Sequence, residues 1–179
     1  MATWQFSFSL VPQEGIVRIH GGDVLELDEF RPIDKCNIPS GSQGVHTREN
    51  YWLSSPPRNN QAVIEDFGRL LPPLESWDAD AVMFGFRHGH QVEIWSDDLV
   101  CRFDARDPDT SLLEKYAGLA LRLGCRVVLH ENGQVLGPDA NELLLALLRS
   151  RAKRFVTDPE SALKELRPNR ESDRPNSNS

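Results

Sequence analysis

The stretch "MFGFRHGHQVEIW", residues 83 to 95, sets His88 and His90 on either side of a glycine, with Glu93 close behind. Imidazoles and a carboxylate so near one another are the raw material of a zinc site or an acid–base pair, and both require the groups to converge on one point. The hydrophobic pattern argues against convergence. Val82, Phe84 and Phe86 alternate with less apolar positions, as do Val92 and Ile94, which is the period of two of half-buried strands. A two-residue loop at His88-Gly89 would place Phe84 opposite Glu93 and Phe86 opposite Gln91, dividing the apolar set between two faces. A three-residue loop, Arg87-His88-Gly89, with Gly89 left-handed in a bulge, instead pairs Phe84 with Val92, Val82 with Ile94 and Phe86 with His90. One face is then wholly apolar. His88 stands at the exposed tip, His90 closes the edge of the core face beside Phe86, and no Cys or His lies at a short spacing that would complete a zinc site. The stretch is expected to be a hairpin turn, with no metal and no cofactor.

The other polar constellation is Arg102, Asp104 and Arg106, which alternate on one face of "LVCRFDA" while Cys101, Phe103 and Ala105 take the other. Three charges on one face could bind an anion or meet a partner, but pairing among themselves and with neighbouring strands is the plainer expectation. No serine elbow, phosphate-cradling glycine loop, zinc spacing or kinase-like set is present, and "ENGQVLG" is too sparse for a dinucleotide loop. No catalytic residue is assigned.

The elements that would position these groups follow from periodicity. "TWQFSFSLVP" alternates Trp4, Phe6, Phe8 and Leu10 against Thr3, Gln5, Ser7 and Ser9, an amphipathic strand. "GIVRIHGGDVLELDEF" suggests a second short hairpin turning at Gly21-Gly22. Residues 31 to 60 form a long loop rich in Pro, Gly, Ser and Asn, interrupted by Tyr51 and Trp52, which read either as an anchor into the core or as a surface hot spot. "QAVIEDFGRLLPP" gives a helix stopped by Pro72-Pro73, and "LVCRFDA" a further strand. "DPDTSLLEKYAGLALRLG" is a helix opened by a Ser111/Glu114 capping box, or earlier at Asp107, with Gly124 as its stop. "CRVVLHENGQVLG" supplies a strand, an Asn132-Gly133 turn and a short return strand. A helix from Pro138-Asp139 ends in "RSRAKR", whose Arg149, Arg151, Lys153 and Arg154 read as a solvated helix end; "TDPESALKEL" is a last short helix with Thr157 and Glu160 at capping-box spacing. Residues 168 to 179 hold nothing apolar and are expected to be a disordered tail. The expected fold is a single α+β domain over 1–167, a mainly antiparallel sheet of four or more strands covered by three to four helices.

Composition bounds the setting. At 39% hydrophobic and 26% charged, 179 residues make one ordinary globular core. The first residues carry neither a signal peptide nor a membrane span, and Cys36, Cys101 and Cys125 are far apart and odd in number, which suits free thiols in the cytoplasm. The net charge of −7 is uneven: Val63 to Glu114 holds twelve acids against four bases, whereas Lys115 to Phe155 holds seven bases against three acids. Such an acidic segment repels nucleic acid and favours a cationic partner. Its candidate contacts are Asp97, Asp98, Asp107 and Asp109, at strand ends and in the strand-to-helix loop.

The order of short motifs resembles a group of small uncharacterised bacterial proteins, in which a "W…FG…DG…I.V" hairpin precedes an "R.D.R" strand, an "LA…C" helix, a "P" helix and a closing "SrA.rFv.DP" segment. The matching positions are Trp77, Gly85, Gly89, Arg102, Asp104, Arg106, Ala120, Cys125, Pro138, Ser150, Ala152, Phe155, Asp158 and Pro159, with "WQFSFSLVP" and the Tyr51-Trp52 pair extending the likeness over most of the chain. His88 departs from the acid that this group tends to place before the glycine. Proteins of this group are similar in size and acidity to toxin-neutralising immunity proteins, and no catalytic residue comes with the resemblance. It implies a non-catalytic module that binds a protein partner, with nucleic acid and membrane set aside. The alternatives are an enzyme or small-molecule binder using the Arg102, Asp104, Arg106 face, and a structural or regulatory module whose "RSRAKR" end touches nucleic acid.

Overall fold

The computed structural model of the chain describes residues 4–31, 50–53 and 55–166. Most of the long loop over 31–60, with Cys36, and the tail over 168–179 lie outside the described residues. The elements run β1 (Gln5–Pro12), α1 (Gln13–His20), α2 (Gln61–Leu70), β2 (Pro73–Leu74), β3 (Val82–Gly85), β4 (Gln91–Ile94), β5 (Leu99–Asp104), α3 (Ser111–Arg122), β6 (Cys125–Leu129), β7 (Val135–Leu136), α4 (Ala140–Arg149), α5 (Arg151–Thr157) and α6 (Pro159–Leu166). All seven strands join one antiparallel sheet in the order β2-β3-β4-β5-β1-β6-β7, so the chain is an α+β domain. No helix among the described residues is long and apolar enough to cross a membrane.

β1 lies between β5 and β6, and its alternation splits the molecule into two layers. Phe6, Phe8 and Leu10 share a face with Val92, Ile94, Cys101 and Val127, and this face packs on Val63 and Phe67 of α2, Tyr116 of α3, Leu143 of α4 and Ala152 of α5. Ser7 and Ser9 point the other way, where a polar alternation would put solvent. Both are buried instead, because that face has its own cover: Val11 and Val128 meet Ile16, Leu27, Phe30 and Tyr51 in a second cluster. Ser9 reconciles its hydroxyl with burial through His130 Nε2 at 2.8 Å.

The β3–β4 register is the one the apolar pattern requires, with Val82 opposite Ile94 and Phe84 opposite Val92. The turn chemistry differs. Gly89 does not carry the left-handed conformation; the loop closes by Gly89 N–H donating to Phe86 O at 3.1 Å, and the positive φ, 118°, sits at Gly85. A Cβ at Gly85 would lie 2.1 Å from His90 O, so close approach of the two strands fixes glycine there.

The second hairpin expected after Pro12 is absent. "QEGIVRIH" is the helix α1, ended by Gly21 in the left-handed conformation (φ 77°) with its N–H on Val17 O. A Gly-Gly pair serves a helix C-terminus as well as a hairpin, and the buried Ile16 decides which is used. Residues 25–27 pair instead with the outer edge of β7 through Leu27 N–H to Gly133 O and Val135 N–H to Leu25 O, both 2.8 Å. That covers an exposed sheet edge.

Helix starts also shift from their expected caps. Ser111 is the first residue of α3, and its N–H and hydroxyl both donate to Asp109. Thr157 bonds back to Lys153 O, while Asp158 accepts from Ser161 N–H at 3.1 Å in the first turn of α6. "RSRAKR" is not one solvated helix end: Ser150 breaks α4 and caps α5 by accepting from Lys153 N–H at 3.1 Å.

Candidate functional site

At one end of the sheet four segments meet. The β4–β5 turn closes with Trp95 N–H on Asp98 O at 2.9 Å, and Asp98 Oδ1 accepts from Leu99 N–H at 2.8 Å, which leaves Asp97 exposed at the corner. Arg58 ties this turn to the loop after β2: its backbone N–H donates to Trp95 O at 3.2 Å, and its guanidinium reaches Asp80 at 3.0 Å and Ala79 O at 2.8 Å. The loop itself is a compact turn in which Ser76 Oγ donates to Asp78 O and Asp78 Oδ1 accepts from Asp80 N–H. It holds Trp77 against Trp95, with ring centroids 5.4 Å apart at 59°.

The fourth segment is the Tyr51-Trp52 pair. Both rings are buried, so they act as an anchor: Trp52 joins the main core, and Tyr51 joins the second cluster with its hydroxyl donating to Glu29 and lying 2.9 Å from His20 Nε2. A cavity of about 180 Å³ opens beside them, lined by Phe30, Tyr51, Trp52, Trp95, Asp97 and Asp98. Two of the four candidate aspartates therefore stand with the candidate aromatics.

The other two do not. Asp107 and Asp109 lie beyond the opposite end of β5, and both are occupied. Asp107 bonds His90 Nε2 at 2.9 Å and accepts from Asp109 N–H; these hold its carboxyl below the usual carboxylate range, the His90 bond first. Asp109 is held low by the Ser111 backbone N–H and hydroxyl.

His90 is part of the same latch. Its Nδ1 accepts from Asp104 N–H at 3.0 Å, so the ring proton is on Nε2 and donates to Asp107, while the ring lies 4.6 Å from that of Phe103. Both nitrogens are engaged, no nucleophile adjoins, and the histidine pins the hairpin to β5 and to the loop before α3. His88 is exposed at the tip. Among the described residues no three His, Cys, Asp or Glu side chains converge to hold a metal. Metal analysis of the purified protein is expected to give no stoichiometric zinc; a one-to-one content lost in a His88→Ala, His90→Ala variant would contradict this assignment.

The latch also makes a pH prediction. Asp107 has a folded pKa below its unfolded value of about 3.9, so its ionic contribution to stability is complete above that value and is lost as pH falls through the folded pKa. Urea midpoints of wild type and Asp107→Asn are expected to differ at pH 5 to 7 and to draw together towards pH 2.5. A gap of constant size across that range would show that the charge contributes nothing.

Arg102, Asp104 and Arg106 resolve into two internal ion pairs. Arg102 pairs with Glu93 of β4, whose second oxygen accepts from the Trp95 indole N–H at 3.4 Å. Asp104 pairs with Arg106 at 2.6 Å; burial raises the Asp104 pKa, but the bonds from the Arg106 guanidinium and backbone outweigh it and leave the carboxyl low. Arg106 also lies 4.6 Å above the Trp4 ring. Arg102 braces β5 to β4, whereas the Asp104–Arg106 pair is local to the end of β5.

Burial pushes the Cys125 thiol up to about 12 and the Cys101 thiol well above its ordinary value, so neither is a ready nucleophile. Sequence reasoning named Trp77 only as a position of the resemblance, and passed over Trp95 and Arg58. Trp77 carried a signal: in "ESWDAD" it is the one large apolar side chain among three acids, a poor core position. Comparison with protein-family models, with curated proteins and with solved structures finds nothing that matches this chain.

Proposed function

We propose that the chain is a non-catalytic protein-binding module of the immunity type, which neutralises a toxin in the cytoplasm by stoichiometric binding. The observation that carries this is the meeting of Asp97, Asp98, Trp95 and the exposed Trp77 with the Tyr51-Trp52 anchor at one end of the sheet. Aromatic side chains ringed by acids suit a cationic protein surface: the rings supply contact area and the carboxylates steer the encounter. The acidic balance of residues 63 to 114 favours such a partner over the phosphates of nucleic acid. Buried Cys101 and Cys125, both free thiols, suit a reducing compartment.

Co-expression with the product of the neighbouring gene tests the proposal. A one-to-one complex by size exclusion with light scattering, together with rescue of growth when that product is toxic, is the expected outcome. Separate elution and unrelieved toxicity would overturn it.

A further inference from the structure

Beside the Trp77–Trp95 pair, on the sheet face turned away from α2 and α3, lies a groove of about 450 Å³, large enough for a side chain or a small ligand. Its floor is Met83, Gln91 and Glu93; Glu75 and Trp77 form one wall, and the hairpin tip at Arg87 forms the other. Trp77 is 70% exposed, whereas the other three tryptophans are buried or half-buried. The fold does not bury it, yet the Ser76–Asp78 turn and the Trp95 ring hold it in place. An aromatic fixed in advance loses little freedom when a partner covers it.

Charge selects the occupant. Glu75, Asp78 and Asp80 belong to the Trp77 loop, Asp97 stands at the adjoining corner, and Arg58 meets that loop only at Asp80 and the Ala79 carbonyl. Glu93 is engaged by Arg102, which leaves Glu75 as the other carboxylate that lines the groove. The chain already sets a guanidinium there: Arg87 Nη2 lies 3.3 Å from Glu75 Oε2, with the two side chains 73% and 84% exposed. Exposed pairs of this kind hold weakly and exchange readily.

We propose that this groove receives an arginine side chain of the protein partner, its guanidinium displacing Arg87 from Glu75 and lying against Trp77. Arginine fits because its planar guanidinium stacks on an indole while donating two parallel hydrogen bonds to a carboxylate, which a lysine ammonium does not do. The assignment rests on the protein-binding reading above and names the contact that reading would use.

The test needs no partner. Full-length 15N-labelled protein is titrated with Nα-acetyl-argininamide, and the four tryptophan indole N–H signals are followed, that of Trp77 being assigned from Trp77→Phe. The Trp77 signal is expected to move saturably while those of Trp4 and Trp52 stay, and the neutral isostere Nα-acetyl-citrullinamide is expected to leave it in place. Glu75→Gln should weaken binding at least threefold, and Arg87→Gln, which removes the resident guanidinium, should tighten it at least twofold. A still Trp77 signal, an equal response to the citrulline compound, or weaker binding by Arg87→Gln would each overturn the assignment. Failure here is separable from failure of the function: a one-to-one complex whose affinity survives Trp77→Ala would remove the groove and leave the protein-binding role, whereas absence of any complex would remove the role itself.

Discussion

Arg102→Met is expected to destabilise the protein by about 3–5 kcal/mol, the cost of leaving a buried carboxylate without its cation. Glu93 and Arg102 sit on neighbouring strands of one face, Glu93 opposite Val100 and Arg102 opposite Gln91, so the pair is a diagonal cross-strand contact. Their side chains are only 7% and 18% exposed, which removes the solvent screening that makes surface pairs nearly neutral. Once the guanidinium is gone, the Trp95 indole N–H is the partner left to that carboxylate among the described residues, and at 3.4 Å it compensates poorly. The double variant Glu93→Gln, Arg102→Met should recover a good part of the loss, since a neutral amide costs far less to bury than a charge. Urea unfolding at pH 7 reads both. A single variant within about 1 kcal/mol of wild type would mean that the pair is not the inter-strand brace described here.

Most of the scaffold was legible in the sequence because apolar periodicity and burial coincide along β1, β3, β4, α2 and α3. Phe6, Phe8 and Leu10 alternate, and all three are buried. Legibility failed where a local signal serves two structures. Gly21-Gly22 fits a hairpin or a helix end, and only the packing of Ile16 against Val11 and Tyr51 selects the helix. The basic residues of "RSRAKR" read as one solvated helix end, yet the Ser150 among them is buried and separates two helices. The site was half legible for a related reason. Asp97, Asp98, Asp107 and Asp109 all flank β5 in sequence, but a strand of six residues carries its ends roughly 17–20 Å apart. Exposure at a loop does not say which end a residue shares with which aromatic. The Tyr51-Trp52 segment, the Arg58 clamp and the Trp77 turn reach Asp97 and Asp98 through contacts between residues distant in sequence, and periodicity carries no record of them.

That separation gives the second large effect. Replacing Asp97 and Asp98 together with Asn is expected to slow association with the product of the neighbouring gene several-fold at low salt, and much less at high salt, where screening has already removed the steering. Asn keeps an acceptor at position 98 for Leu99 N–H, so that bond of the turn should be retained. Asp107 and Asp109 are engaged with His90 and Ser111, so the matching Asn pair at these positions should lower stability and leave the association rate almost unchanged. Association kinetics of wild type and the two paired variants at two ionic strengths, with circular dichroism on each, is the most direct measurement. A salt-dependent slowing confined to the Asp97, Asp98 variant is the predicted result. Equal low-salt rates for all three proteins, or slowing by the Asp107, Asp109 variant alone, would contradict a binding surface at the aromatic end of the sheet.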